Sequence, residues 1–526
     1  MCTIQVLSAS IVLLAATVLL QRFLRGYSVV SKLPVAPSEE ASILWGHEYK
    51  VAKGEVSAEY TRWAALLGQV FRIKAALFQG DRVIVADSVV AQHIFQNAYI
   101  YLNSQTFEPI VVKVVGRGVA WAEGEEHKFQ RRLLYATTSY RLSAVKGLAD
   151  DVLQCAEKCA SRLASDLETQ ENINAGVFNL SLYIPAYAFE TICRVVFGRD
   201  FGYENSDAQA ILGSWREDVQ KFATFLAFLA PRLIGIFPWI ARLPIAAFQE
   251  DGFAKKVIQR VAGELLKQPS NPDGRDIFSI LVRESWEGKE ISGEKLSNQQ
   301  LIDNITTLLM AGFEASSGVV VFTLLDLAQN MEAQTRLREE LLGAELDPKT
   351  IDNLQYLDAV TRESLRLHPS SAETHRIAVC DDTIPLHKPV TLQTGEIITA
   401  LPVRAGDQFT IPYTLLNTNP VIWGPNAQEF VPERWMAPDG VPPSKELPHG
   451  PWSNLSTFSD GPRMCIGWRL AVMQVKTFLA VMVRTFEFKD SGVKVDKMMS
   501  PSLQPFVNGK AAVHPIRISP VHSSTY

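Results

Sequence analysis

The sequence has 526 residues, of which 47% are hydrophobic and 20% charged, with a formal net charge of −5. A chain of that size and composition buries a large core, and it is not basic enough for a nucleic-acid binder. It has no long run of one charge sign, which excludes a charged interaction tail.

The chain opens on an uncharged apolar run from Ile4 to Leu20. At ~1.5 Å per residue this run extends about 26 Å, near the lower limit for crossing a bilayer. Phe23 and Leu24 lengthen it if Arg22 snorkels. A cleaved signal peptide is the competing reading, but such a peptide starts with a positive segment and ends at a small-x-small site. Here Lys and Arg are absent before the run, and Arg22 and Arg25 follow it. The positive-inside rule then puts the N-terminus across the membrane and the body in the cytosol. Residues 1–25 are predicted as a transmembrane anchor. Residues 26–48, stiffened by Pro34 and Pro37, are predicted as a hinge. No further linker, repeat or low-complexity tract follows, so 49–526 reads as one domain.

Helical periodicity dominates the body, as in Ala144–Glu168, Val257–Leu266 and the long stretch Leu301–Leu342. Ser297 and Gln300 fit a capping box at the start of that stretch. Strand-like pieces are short: Gln69–Ile73, Arg82–Val85, Ile397–Ala400, Gln408–Ile411 and Phe486–Lys489. The pattern predicts a mainly α fold with small β-sheets. Leu308 to Leu325 is apolar but broken by Glu314, Ser316, Ser317 and Thr323. A carboxylate in mid-span is costly in lipid, so a helix buried through a globular domain explains the run better than a second membrane span. A buried acid is rare, which makes Glu314 a functional candidate.

Six cysteines are scattered at positions 2, 155, 159, 193, 380 and 465, with no C-x-x-C pair, too few for a disulfide framework. Cys155 and Cys159 lie four apart on a predicted helix without a nearby His, and read as small core residues. Cys465 differs, because it sits in FSDGPRMCIGWRLA, Phe458 to Ala471, after a loop and before a helical pattern. A thiolate at a helix start gains from the dipole and from backbone N–H groups. Gly461 and Gly467 permit tight turns and close approach to a flat ligand. Arg463 offers a cation for a carboxylate, and Phe458 an aromatic face. One cysteine with no second ligand nearby suits a metal already held by four ring nitrogens.

This segment resembles the haem-binding signature of cytochrome P-450 enzymes, F-x-x-G-x-R-x-C-x-G, with every fixed position filled. Other pieces follow in the family's order. TRESLRLHP carries Glu363 and Arg366 on one helical face, and FVPERW carries Arg434; together they resemble the family's structural trio. WAEGEEHKFQRR, Trp121 to Arg132, resembles the helix that holds the haem propionates, through His127 and Arg131. HRIA places Arg376 at another propionate contact. The resemblance runs from the proline hinge to the last strands. It implies the cytochrome P-450 fold, with haem b between the long central helix and the Cys465 loop, the thiolate as axial iron ligand.

Two positions depart from the family pattern. In AGFEASS, Ala311 to Ser317, family members usually carry a Thr directly after the acid; here Ala315 stands there and Ser316 follows. The family's acid and alcohol relay protons during dioxygen activation, so the resemblance makes Glu314 and Ser316 the candidate catalytic pair, with Ser316, ordered water or a substrate hydroxyl replacing the hydroxyl that Ala315 lacks. Asn417 stands where the family often has a His or an acid, and only a surface effect is expected from it.

The resemblance implies a membrane-anchored monooxygenase on the endoplasmic reticulum, single-pass, with its catalytic domain facing the cytosol. It would insert one atom of dioxygen into a small lipophilic substrate, by hydroxylation or epoxidation. No FMN-, FAD- or NADPH-binding module is present, so electrons from NADPH must come through a separate membrane-bound reductase. Lys128, Arg132 and Arg469 are candidates for its docking face. The apolar stretch Gly213 to Phe248 is expected to roof the pocket and dip towards the membrane. DDTIPL gives the chain a fungal look, which points to secondary metabolism and a terpenoid-like substrate. Ala315 keeps open an isomerase, a dehydratase or a peroxide-driven enzyme, and a haem sensor without turnover is the reading from a different class.

Overall fold

The computed structural model describes residues 28–136, 146–169, 177–202, 204–243, 251–267, 276–286 and 296–521. The predicted anchor lies outside them. The described chain is mostly helical. The helices that bear on the site are α1 (Glu48–Lys53), α2 (Ser88–Gln96), α3 (Glu108–Val115), α4 (Gly124–Ala136), α5 (Ile184–Phe197), α6 (Ser206–Phe222), α7 (Phe225–Ile236), α8 (Asn298–Gln329), α9 (Gln355–Leu367) and α10 (Trp468–Thr485).

Helix α8 runs through the core. It starts where the sequence places a cap: the Ser297 side chain accepts from Gln300 N, and Gln300 reaches back to Ser297 N. Its polar residues survive burial because their hydroxyls bond carbonyls one turn back, Thr306 to Ile302 at 2.8 Å and Thr323 to Val319 at 2.7 Å. Gly312 lets α5 come close, since a Cβ there would lie 2.6 Å from Ile192 Cδ1. Leu180–Phe197 and Asn298–Gln329 are long and apolar enough to cross a membrane, but 83% and 78% of their apolar windows are buried inside the fold. The stretch predicted as continuous from Leu301 to Leu342 breaks at Asn330. That residue leaves helical geometry and caps the next helix, Met331–Leu342, through Ala333 N. A short polar side chain competing for the backbone is the reason.

Strands β1 (Val70–Lys74), β2 (Asp81–Val85), β3 (Tyr101–Asn103), β4 (Glu373–Ala378) and β5 (Gln408–Pro412) form one sheet in the order β1-β2-β5-β4-β3. Only the β2–β5 pair is parallel. Ile397–Val403 pairs with Asp382–Thr391, and Phe486–Asp490 with Pro515–Pro520.

At the base of α9 a fully buried ionic cluster ties the fold together. Arg366 Nε and Nη2 donate to Glu363 Oε2 and Oε1 at 2.9 and 2.8 Å. Arg434 Nε, Trp435 Nε1 and Val431 N complete the carboxylate's shell at 2.9, 2.9 and 3.0 Å. Burial pushes the Glu363 carboxyl up, but the two guanidinium groups more than offset that and hold it below its usual range. Arg366 also donates to the carbonyls of Asn417, Ala427 and Glu429. Asn417 is therefore not a surface position. It is fully buried, accepts from Ser456 N and Oγ at 2.9 and 2.8 Å, and donates to Thr457 Oγ1 at 2.8 Å. It fastens the cluster to the segment that leads into Cys465.

Replacing Glu363 by Gln leaves two buried guanidinium groups without a counter-charge. The expected cost is about 3–5 kcal/mol, read as a lower urea midpoint of the full-length protein. A midpoint equal to wild type would show that the cluster does not hold the fold.

Candidate functional site

The segment before α10 folds back on itself. Cys465 N donates to the Phe458 carbonyl at 2.8 Å. Asp460 caps the short turn Gly461–Arg463 and accepts from Gln96 Nε2 of α2 at 2.9 Å. Gly461 has φ +68°, and a Cβ there would strike the Phe95 carbonyl oxygen. This close approach to α2 demands glycine. Phe458 is buried, whereas Cys465 is exposed to an interior space. Burial in the protein pushes the Cys465 thiol up; the Gly467 N–H that bonds it and the Arg131 charge pull it down.

Four cationic or potentially cationic groups converge beside this thiol from three elements. His127 and Arg131 come from α4, Arg376 from β4 and Arg463 from the Cys465 segment. His127 Nδ1 lies 3.1 Å from the Tyr99 hydroxyl. Its pKa falls to about 3, first because it is buried and then because Arg463, Arg131 and Arg376 surround it. Arg376 donates to Asn103 Oδ1. Arg463 donates to the Ala122 carbonyl at 2.8 Å and pairs with Glu123, while its buried Nε has no acceptor among the described residues. The described residues around this cluster supply one opposing acid, Glu123, in the charge balance of Arg376 and Arg463. Positive groups in excess, one orphaned guanidinium nitrogen and a thiol fit a flat ligand with two carboxylates and a metal at its centre. The donor set therefore fits haem.

On α8, Ala311 is exposed and Ala315 half-buried, one turn apart on a single face. Glu314 and Ser316 point elsewhere and away from each other. Glu314 accepts from Trp215 Nε1 of α6, from Ser502 Oγ at 2.6 Å and from Gln504 Nε2. Burial raises its carboxyl pKa despite these three donors. Ser316 Oγ donates to Gln474 Oε1 of α10 at 2.8 Å. Spacing alone could not find these partners, because Trp215 and Gln474 lie 99 and 158 residues away in the chain. The same holds for Glu123, which directly precedes α4 but pairs across 340 residues.

A cavity of about 590 Å³ reaches from Val115, Trp121 and Phe506 to the sheet and α7. Helix α3, EPIVVKVV, has no fully buried residue because three of its valines face this space. Lys128 pairs with Glu125 and sits over the Tyr99 ring, Arg469 lies over Trp468, and Arg132 is exposed. Among the described residues, no group of three or more His, Cys, Asp or Glu could hold a metal ion by itself.

The cytochrome P450 family model matches residues 37–512. The chain is 29% identical over 484 residues to cytochrome P450 monooxygenase claP of Ampulloclitocybe clavipes, covering 88% of each chain. It is 29% identical to claQ of the same fungus, covering 92% of each. It is 26% identical to cytochrome P450 monooxygenase 205 of Postia placenta, covering 94% of each. With the fold and these matches over nearly the whole length, the chain belongs to the cytochrome P450 family and is an oxidoreductase of its monooxygenase class.

Proposed function

We propose that Cys465 is the axial thiolate of a haem b seated between α8 and the segment 458–467. On that reading the enzyme inserts one oxygen atom into a lipophilic substrate, terpenoid-like and from secondary metabolism. The observation that carries this reading is the convergence of the Cys465 thiol with four cationic positions around one interior space. Haem, when bound, supplies dioxygen activation, with electrons from NADPH through a separate membrane-bound reductase. The Gly467 N–H and Arg131 pull the Cys465 thiol towards its charged form, against the larger effect of burial. His127, Arg131, Arg376 and Arg463 hold the two carboxylates, and Gly461 keeps the loop close enough to do so. The valines of α3 exclude water from the reacting side.

Glu314 and Ser316 are the proposed proton-handling pair, one on each side of Ala315. Ser316 would have to exchange its Gln474 partner to serve. That commitment, with a methyl group at 315, favours the second reading: an isomerase, a dehydratase or a peroxide-driven enzyme. Residues 1–25 are the proposed anchor, 26–48 the hinge and 49–526 one catalytic domain facing the cytosol from the endoplasmic reticulum. The exposed Ile43, Leu226 and Trp239, at 90%, 67% and 58%, support a membrane-facing surface near the hinge and α7. Lys128, Arg132 and Arg469 are the proposed reductase-facing cations.

Full-length protein in microsomes should show the red-shifted Soret band of a reduced, carbon-monoxide-bound thiolate haem. Cys465→Ser should lose it; a variant that keeps the band would end this reading. His127→Leu and Arg131→Leu each remove a charge-assisted contact worth about 1.5–3 kcal/mol. Haem loss to an acceptor protein should then be roughly 10–100-fold easier, and unchanged retention would take the propionate role from them. With Ser316 in the relay, Ser316→Ala should cut product formed per NADPH by about tenfold or more, and adding Ala315→Thr should restore it. Unchanged coupling in Ser316→Ala would move the relay to water or to the substrate. Product formed without NADPH and reductase would establish the second reading.

A further inference from the structure

The 590 Å³ cavity is not apolar throughout. Its far end is built from Glu48, Tyr60, Arg82, Arg232, Glu373 and His375. Strand alternation puts Arg82 of β2, Thr410 of β5 and His375 of β4 on one face, with Arg376 on the other. Two arginines share the single carboxylate of Glu48: Arg82 Nε lies 2.7 Å from Oε1, and Arg232 Nε 2.8 Å from Oε2. Arg232 spends a further donor on the Phe228 carbonyl at 2.6 Å. Arg82 is only 6% exposed, and its contact with Glu48 is a close approach of charges without a directed hydrogen bond. Its Nη1 and Nη2 have no acceptor among the described residues. Glu373 is engaged by His375 at 3.2 Å, and His375 also bonds Thr410 at 3.0 Å. Glu48 is thus shared by two guanidinium groups, with Glu373 as the second acid at this end, and what Arg82 brings to the wall of a ligand-sized space is a pair of unused donors. Buried guanidinium donors without acceptors are costly until a ligand meets them.

We propose that Arg82 anchors the carboxylate of the substrate, so that the substrate is a lipophilic carboxylic acid oxidised at a carbon remote from its carboxylate. The proposal rests on the haem-thiolate reading above and takes this cavity, walled by the same α3 valines, as the space for the substrate. The planar guanidinium fork matches a carboxylate in two parallel bonds. Val111, Val114 and Val115 of α3 supply the wall for the hydrocarbon body. Register gives the separation: Arg82 faces Gln408, which faces Ile377, the neighbour of Arg376. Two strand spacings, about 10 Å, lie between the anchor and the strand that carries a proposed haem contact. The carbons next to the carboxylate thus stay far from the reacting side.

The test is an equilibrium titration of the haem-loaded full-length enzyme, by Soret shift and by dialysis. Matched pairs are used: palmitic acid and methyl palmitate, abietic acid and methyl abietate, farnesoic acid and its methyl ester. At least one acid should bind about tenfold tighter or more than its ester, the value of one charge-assisted pair. Arg82→Gln should abolish that preference with the carbon-monoxide band intact. If Glu48 left with one partner prevents folding, Glu48→Gln combined with Arg82→Gln removes both charges together. No acid preferred over its ester in the wild type overturns the anchor, as does a preference that survives in either variant. Oxidation next to the carboxylate also overturns it. A wild-type protein without the carbon-monoxide band would sink the haem reading instead, which keeps the two failures apart.

Discussion

One buried carboxylate organises the side of the molecule that presents Cys465. Glu363 accepts from Arg366, Arg434, Trp435 and a backbone N–H, so both of its oxygens are filled. A buried ion pair of this kind adds little stability over an apolar packing of equal volume, but losing one partner is severe. What it supplies is geometry. Arg366 gathers three carbonyls from segments 51 to 63 residues away, and Asn417 passes the constraint to Ser456 and Thr457, just ahead of Phe458. The Cys465 loop is thereby set by hydrogen bonds to side chains in the core, with Gly461 sealing it against α2.

That placement decides the electrostatics. A thiol surrounded by protein resists ionisation, and the pull from Gly467 N–H and Arg131 does not fully offset burial. Coordination to a metal is what would make the thiolate the stable form. The neighbouring cations behave in the same way: burial and mutual repulsion disfavour the charge on His127, and dianionic partners would relieve both. The site is poised for a ligand that is negative at its rim and metallic at its centre.

The local parts of this arrangement were legible in the sequence. The capping box at Ser297, the 3.6-residue rhythm of α8 and the period-two strands at 70–74 and 81–85 depend on neighbours a few residues away. The Cys465 segment was legible because a fixed spacing of glycine, arginine and cysteine packs several demands into ten residues. Pairings across the chain were not. Nothing near Asn417 signals that Ser456 and Arg366 will bury it, and nothing near Glu314 signals Trp215. The break at Asn330 was missed because its neighbours on both sides are strong helix formers, so the period hides a single capping residue. Strand β4 was missed because ETHRIA has too little apolar alternation, its polar side chains being spent on the cavity and the charge cluster.

The distribution of polar groups within the interior then follows a physical logic. Cations collect on one side of β4, with Arg376 beside His127 and Arg463. On the opposite face of the same sheet, His375, Thr410 and Arg82 line the cavity. Alternation along a single strand thus presents two different surfaces a few ångströms apart, and a one-residue slip of β4 would exchange them. The bonds of β4 to β3 and β5 on either side, in fixed register, prevent that slip. The acid Glu314 stays outside both groups, held on α8 by a tryptophan from α6 and two side chains near the C-terminal hairpin. Separating the acid from the cations prevents an internal salt bridge that would neutralise both. It leaves the arginines with donors to offer and the carboxyl with a pKa that burial raises above its usual range.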